Sequence, residues 1–157
     1  MARVLIVYYS RGGNTEKMAS LVGEGVKEEG IDPVIKDVAK VDPRELLDCD
    51  GIIIGSPTYY GTMAAEIKKL LDESVAFHGD LEGKVGGAFS SAANIGGGNE
   101  TTIMDILGAM LIHGMIIQGT PEGDHYGPVS IGRPDPRVER QCKALGQRVA
   151  RLAKKLS

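Results

Sequence analysis

The sequence predicts an open α/β fold, in which a five-stranded parallel sheet is covered by helices. Two observations predict it. Short, continuously apolar segments are typical of strands that are buried on both faces. Each is followed by a stretch in which apolar residues recur at helical spacing. Alternation of this kind implies parallel strands joined by helical crossovers, and a chain of 157 residues fits one domain, residues 1–157.

The first unit is the clearest. Residues 4–9 form an apolar and aromatic run that predicts the first strand. A glycine-rich turn follows at residues 10–15, which we call the first loop. Apolar residues then recur at helical spacing up to about Glu29, and Gly30 is a suitable helix stop.

The same alternation continues along the rest of the chain. Asp42 and Pro43 predict a helix start, because an aspartate cap followed by proline suits the first helical turn. The predicted elements are a strand at 33–38, a short helix at 43–47, strands at 51–55, 84–90 and 115–117, helices after 62 and 99, a turn-rich stretch at 119–136, and a final helix.

Composition narrows the function classes. A formal net charge of −3 gives no indication of binding to nucleic acid or to an anionic membrane surface. The N-terminus runs directly into the first strand without the pattern of a signal peptide, and no apolar run reaches the length of a membrane span. We therefore expect a cytoplasmic protein, in which Cys49 and Cys142 are buried thiols; a disulfide is the alternative.

The final helix is strongly basic. It carries seven basic residues against two acidic ones at its start: Arg137, Arg140, Lys143, Arg148, Arg151, Lys154 and Lys155 against Asp135 and Glu139. This pattern is typical of a solvated helix face. A docking surface for an acidic partner is the alternative.

The first loop is the sharpest functional signal, because ligands of open α/β sheets bind beyond the carboxyl ends of the strands. Ser10, Asn14 and Thr15 can donate side-chain hydrogen bonds. Gly12 and Gly13 let the backbone curl so that several N–H groups converge. A helix that begins at about Asn14 adds its positive end to the same place, so the loop suits a phosphate.

The first loop does not contain the residues that mark other classes of phosphate site. The loop has no GxxxxGK[ST], no GxGxxG, no CxxxxxR and no pair of aspartates. Hydroxyl groups and backbone without a lysine favour a monophosphate that stays bound. A polar turn that ends in an Asn14 cap is the alternative.

Two further loops carry ligand-binding character. The second loop, residues 56–62, contains Tyr59 and Tyr60, whose aromatic faces suit a planar heterocycle, although one of them can instead pack on the next helix. Gly61 lets the backbone approach a ring. The third loop, residues 91–99, contains three successive glycines that permit backbone hydrogen bonds to a polar ring edge. A merely flexible loop is the alternative there.

Together these loops resemble those of a known family. The first loop reads S-R-G-G-N-T and resembles the flavodoxin phosphate loop, [ST]-x-x-G-x-T. The second and third loops, S-P-T-Y-Y-G-T-M-A and S-A-A-N-I-G-G-G-N-E, resemble the P-T-R-F-G-x-M-A and G-G-G-Q-E segments of WrbA-type NAD(P)H:quinone oxidoreductases. L-I-H-G-M at 111–115 and the stretch at 119–127 resemble their A-H-H-G-M and G-T-P-Y-G.

The resemblance implies a three-layer α/β/α flavodoxin-like fold with strand order 2-1-3-4-5. It also implies non-covalent FMN, NAD(P)H and a quinone as transient substrates, and a homo-oligomer, either a dimer or a tetramer. The FMN-binding residues that it implies are Ser10, Arg11, Gly12, Gly13, Asn14, Thr15, Pro57, Thr58, Tyr59, Tyr60, Gly61, Ser91, Ala92, Ala93, Asn94, Gly96, Gly97, Gly98, Asn99 and Tyr126.

Two histidines are candidates for proton transfer or substrate contact. His113 matches an active-site histidine of the family, yet it precedes the fifth strand and should lie at the amino end of the sheet. It would then reach the FMN only from a neighbouring subunit, and a surface histidine near a helix end is the alternative. His125 lies in a stretch that departs from the family pattern. The chain is also shorter than usual, and Tyr59 replaces a family arginine.

Two functions follow from the resemblance and the charge. The first is an FMN-dependent oxidoreductase that passes two electrons from NAD(P)H to a quinone by hydride transfer through the flavin. The second is a flavodoxin-type one-electron carrier, a class that is usually strongly acidic, which a charge of −3 and a basic last helix do not favour. A cluster-bearing flavoprotein lacks its cysteines, and a non-flavin regulatory domain is a further alternative.

Overall fold

A computed structural model describes residues 1–157. Its strands are β1 (Val4–Tyr8), β2 (Val34–Asp37), β3 (Gly51–Tyr59), β4 (Thr62–Met63), β5 (Val85–Ala92), β6 (Ile116–Ile117) and β7 (Val129–Ile131). Its helices are α1 (Asn14–Glu28), α2 (Ala65–Glu73), α3 (Asn99–Ile112) and α4 (Pro136–Leu156). Short 3₁₀ segments occupy Val38–Lys40, Pro43–Asp48 and Ser74–Phe77.

The main strands form a parallel sheet in the order β2-β1-β3-β5-β6. Counted as the five predicted strands, this is the order 2-1-3-4-5, so the predicted fold is confirmed. Two short strands were not predicted. β4 pairs antiparallel with β3, and β7 pairs parallel with the carboxyl half of β5. The strand β6 pairs with the amino half of β5, so β6 and β7 lie one after the other along the same edge of β5.

Helices cover both faces of the sheet. Alternate residues of β1 point to opposite faces, as the period of a strand requires: Val4 and Ile6 pack with α1 and α4, whereas Leu5 and Val7 pack with α2 and α3. The helices α1 and α4 approach so closely that a Cβ on Gly146 would lie 2.1 Å from the Val22 carbonyl oxygen. Glycine is therefore required at that crossing.

Several predicted boundaries were wrong because tertiary pairing extends the strands. The sequence pattern predicts a loop at Pro57, Thr58 and Tyr59, but these residues belong to β3, which continues into a hairpin with β4. Ser91 and Ala92 belong to β5, and Asn99 opens α3. The predicted helix at 43–47 is a 3₁₀ segment, and its predicted Asp42 cap is confirmed.

The two cysteines are free and buried, as expected. Burial raises the pKa of the Cys142 thiol to about 12, so it is unreactive at neutral pH. None of the helices combines the length and the apolar character that a membrane crossing requires.

Candidate functional site

The first loop leaves the end of β1 and curls into the start of α1. The Gly13 N–H donates to Ser10 Oγ at 3.1 Å, and Gly13 adopts a left-handed backbone with φ of +98°. No side chain caps α1, so the N–H groups of its first turn have no side-chain acceptor. A Cβ at Gly12 or Gly13 would meet nothing within 4 Å, so the space above this backbone is open.

Thr15 joins the first loop to the third. Its hydroxyl lies 2.9 Å from the Ser91 hydroxyl, and both residues are buried. A buried hydrogen bond of this kind fixes the separation of the two loops, because breaking it leaves two hydroxyls without partners. The sequence predicted both residues as ligand-binding, but not that they contact each other.

The second loop is the tip of the β3–β4 hairpin. Tyr60 and Gly61 both have positive φ, +49° and +77°, as the two central residues of a type I′ turn require. A left-handed backbone is uncommon for a residue with a bulky side chain. The Tyr60 ring is fully exposed, whereas the Tyr59 ring lies edge-on to Tyr9 with centroids 6.3 Å apart.

The second and third loops are packed directly on each other. A Cβ on Gly98, whose φ is +110°, would lie 2.7 Å from Gly61 Cα. Thr101 Oγ1 contacts the Gly61 carbonyl at 2.5 Å and the Gly98 carbonyl at 2.9 Å. Gly98 also precedes α3 without a side-chain cap, so a second helix begins at this edge of the sheet.

A cluster of polar side chains lies behind these loops. Thr58 Oγ1 lies 2.9 Å from Ser90 Oγ and donates to Asn99 Oδ1 at 3.1 Å. Thr102 Oγ1 lies 3.2 Å from Thr58 Oγ1, and Asn99 Nδ2 donates to the Ser130 carbonyl at 3.4 Å. The cluster therefore ties β3, β5, α3 and β7 together underneath the candidate site. Sequence reasoning missed Ser90, Thr102 and Ser130, although polar residues at the ends of apolar strands are a usable signal.

Asp124 organises the loop that precedes β7. Its carboxylate accepts from the Val129 N–H at 2.9 Å and from Arg137 Nη1 at 2.8 Å. Arg137 Nη2 also donates to the Val129 carbonyl at 2.7 Å. Sequence reasoning missed this arrangement, because Asp124 lies in a turn-rich stretch with no periodic pattern.

His125 and Tyr126 lie on the same loop and are exposed. His125 Nδ1 lies 2.9 Å from the Thr120 carbonyl oxygen, which can only accept, so the Nδ1–H donates to it. More than half of the Tyr126 surface is accessible. The next residue, Gly127, passes so close to β5 that a Cβ would lie 2.0 Å from the Ala88 carbonyl oxygen.

A family model described as Flavodoxin matches residues 6–101, which include all three loops. The chain belongs to the flavodoxin family. It is thus a flavodoxin-like flavoprotein.

Relatives of similar identity carry two different names. The chain is 35% identical to an NAD(P)H dehydrogenase (quinone) of Archaeoglobus fulgidus over 99% of this chain and 100% of that one. It is 36% identical to a flavodoxin of Clostridium saccharobutylicum over 98% and 99%. The first alignment extends over 190 positions and the second over 161. The Archaeoglobus dehydrogenase therefore carries insertions that the Clostridium flavodoxin lacks.

Solved structures agree on the fold. A flavodoxin, WrbA-like protein of Agrobacterium tumefaciens superposes with a TM-score of 0.84 at 24% identity over the whole of both chains. A flavodoxin from the domain Archaea gives 0.79 at 29% identity over 97% of this chain and 99% of that one.

Among the family-implied residues, those of the three loops meet at the carboxyl edge of the sheet, whereas His113 lies at the amino edge. Ser74 Oγ donates to the Leu71 carbonyl at 2.6 Å, so it accepts from His113 Nε2–H at 2.7 Å. His113 Nδ1 is buried without a partner. The ring stacks on Phe77, and burial, assisted by His78, lowers the pKa of His113.

The alternative prediction of a surface histidine is wrong, because only 8% of His113 is exposed. In one chain the ring holds the end of α3 against the segment Ser74–Phe77. A role in proton transfer stays a prediction. It requires a neighbouring subunit and also a rearrangement that exposes Nδ1, which has no hydrogen-bond partner but is buried.

Proposed function

We propose that this flavodoxin-family chain is an FMN-dependent oxidoreductase that passes two electrons from NAD(P)H to a quinone. The observation that carries the proposal is the meeting of three loops at one edge of the sheet, beside an uncapped helix start and exposed tyrosines. In the net reaction NAD(P)H is oxidised, and the quinone gains two electrons and two protons. One of those protons comes from solvent.

The first loop would hold the FMN phosphate. The uncapped N–H groups of α1 and the open space over Gly12 and Gly13 fit a group with three acceptor oxygens. Asn14 is half-buried at the helix start and can donate from its amide. Arg11 is exposed beside this point and supplies a positive charge. When bound, FMN supplies the redox chemistry, because its ring accepts a hydride and releases electrons to an acceptor.

The second and third loops would hold the ring system. Tyr59 and Tyr60 offer apolar faces at the tip of the hairpin, and Pro57 and Thr58 fix its base. The backbone around Asn94 and Gly96 is exposed and can hydrogen-bond a polar ring edge. The remaining family-implied positions of this edge are Gly61, Ser91, Ala92, Ala93, Gly97, Gly98, Asn99 and Tyr126.

His125 would be the residue that moves a proton. Its Nδ1–H is held by the Thr120 carbonyl, which leaves Nε2 open on an exposed loop to take a proton from solvent and pass it on. We assign it to proton delivery at the quinone side. The choice of NAD(P)H and a quinone as substrates is supported by the relatives named NAD(P)H dehydrogenase (quinone), which match over the full chain.

A one-electron carrier is the second candidate, and one observation favours it. The Clostridium saccharobutylicum flavodoxin aligns over 161 positions, close to the 157 residues of this chain, at 36% identity. Against it stands the basic face of α4, because carriers of this kind usually dock through acidic surfaces.

One experiment separates the two candidates. The protein loaded with FMN is mixed without oxygen with NADH or NADPH, and the absorbance of oxidised flavin is followed. The oxidoreductase loses that absorbance rapidly and regains it on addition of benzoquinone. A carrier shows no loss with either nucleotide, although dithionite still reduces it. If FMN does not bind when supplied in excess, both candidates fail.

Two further properties belong to the proposal. Exposed Val75, Leu111 and Ile112 lie near His113 and support a homo-oligomer, whose size sedimentation would give. Two free buried thiols are compatible with a cytoplasmic location.

A further inference from the structure

A cleft of about 300 Å³ lies along the second half of α4, beside Gln118 at the end of β6. Three cationic side chains line it, Arg148, Arg151 and Lys155, together with the amides of Gln118 and Gln147. No carboxylate is among its lining residues.

The three cations follow one stripe of the helix. Residues spaced three and four positions apart lie on the same face, so Arg148 neighbours Arg151, and Arg151 neighbours Lys155. Seven residues of helix rise by about 10 Å, which is the axial distance from Arg148 to Lys155. Neighbouring like charges repel each other, so an anion in the cleft would remove an unfavourable interaction.

Arg148 is the member of the stripe whose charge is least compensated. It is half-buried, and the structure gives it a single hydrogen bond, from Nε to the Gln118 carbonyl at 3.2 Å. Both Nη groups therefore have no acceptor. Burial lowers the pKa of this guanidinium, which reflects the cost of removing a charge from water without pairing it.

Arg137, Lys143 and Arg151 of α4 have counter-ions, whereas Arg140 and Lys154, which do not line the cleft, form no ion pair. Lys143 lies 3.0 Å from Glu24, and Arg151 lies 2.7 Å from Glu29 at the rim of the cleft. Lys155 forms no ion pair.

The remaining carboxylate near the cleft, on Glu28, is bonded to the Gln147 amide. Neither Glu28 nor Glu29 forms an ion pair with Arg148 or Lys155. The charge of the cleft is thus left positive at both of its ends.

We propose that this cleft binds a ligand carrying a diphosphate, with Arg148 contacting one phosphate and Lys155 the other. The planar fork of an arginine suits two oxygens of one phosphate, and a lysine serves as a point charge for the second. Arg148 and Lys155 lie on either side of Arg151, whose charge Glu29 balances, so two linked phosphates give each unpaired cation a phosphate of its own. The site is separate from the three loops, because it lies beside the carboxyl end of α1, whereas the first loop lies at its amino end.

The test is calorimetric titration of the full chain, loaded with FMN, with inorganic pyrophosphate at low ionic strength. Arg148→Gln and Lys155→Gln should each weaken binding by about tenfold or more, since each removes a charge-assisted contact. Arg140→Gln is the matched control, because it removes the same charge from an exposed position of α4 that does not line the cleft. It should leave binding unchanged.

Further titrations identify the source of the diphosphate. If ADP binds as tightly as pyrophosphate, the natural ligand is a nucleotide. If ADP binds much more weakly than pyrophosphate, the ligand is free pyrophosphate. Both outcomes support the site. The proposal is overturned if pyrophosphate does not bind, if Arg140→Gln weakens it as much as Arg148→Gln, or if only an acidic peptide binds. Should Arg148→Gln fail to fold, Lys155→Gln, at an exposed position, decides alone.

Discussion

Thr15 and Ser91 are separated by 76 positions, yet their hydroxyls lie 2.9 Å apart in the interior. One residue belongs to the first turn of α1 and the other to the end of β5. Their contact fixes the distance between the candidate phosphate site and the third loop. It therefore gives the first prediction.

We expect Thr15→Val to weaken FMN binding by about tenfold and to destabilise the fold by about 1–3 kcal/mol. Valine keeps the shape but leaves the Ser91 hydroxyl buried without its partner. Fluorescence titration with FMN and urea unfolding measure the two effects.

Ser20→Ala is the control for this substitution. The Ser20 hydroxyl bonds only the Glu16 carbonyl on the exposed side of the same helix, so the change should alter neither quantity by much. Unchanged FMN affinity in Thr15→Val would show that the contact does not position the site.

Gly98→Ala should separate the second and third loops. The new Cβ would lie 2.7 Å from Gly61 Cα, and a φ of +110° strains any residue with a side chain. We expect a loss of FMN affinity and a lower melting temperature.

Gly108→Ala is the matched control for this second substitution. Its Cβ would meet nothing within 4 Å, and the residue lies inside α3. It should stabilise the protein by up to about 1 kcal/mol, because alanine is the better helix former. If the two variants unfold alike, the close approach of Gly61 and Gly98 is unimportant.

Asp124→Asn should loosen the loop before β7. The amide keeps one acceptor oxygen but loses the charge that pairs with Arg137, and the Val129 N–H then has a weaker partner. We expect faster hydrogen exchange at Val129 and a stability loss of about 1 kcal/mol, reduced from the value for buried pairs because Arg137 is exposed.

The exposed pair of Lys68 and Asp72 provides the comparison. Asp72→Asn should change stability by less than about 0.5 kcal/mol, since isolated surface pairs contribute little. Equal effects of the two substitutions would contradict a structural role for Asp124.

His113 should make the protein less stable in mild acid. Its pKa is lowered in the folded state, chiefly by burial, so the unfolded chain binds the proton more readily. The free energy of unfolding should therefore fall as the pH drops below about 6.5, the value for an unperturbed histidine, and level off below the folded pKa.

Urea unfolding at pH values between 7.5 and 5 measures this dependence. His113→Gln should flatten it, and His125→Gln, at an exposed position, should retain it. A wild-type slope in His113→Gln would assign the dependence to other groups.

Much of the fold follows from local pattern. The apolar run of β1, the glycine-rich turn and the helical periodicity of α1 are all contained within one segment, so they can be recognised without partners. The failures have a common cause. The local pattern predicts loops at Tyr59 and Ala92, because the strand conformation of these residues depends on pairing with β4 and β7.

The sequence by itself determined the layered fold and the residues that offer phosphate and ring contacts, because periodicity and loop composition are local properties; the strand order came from the resemblance to the flavodoxin family. Only the tertiary structure decided which of those residues meet. It joined Thr15 to Ser91 and Gly61 to Gly98, and it buried His113 at the opposite edge. It also left Arg148 without a counter-ion, because pairing depends on distances across the fold rather than on spacing along the chain.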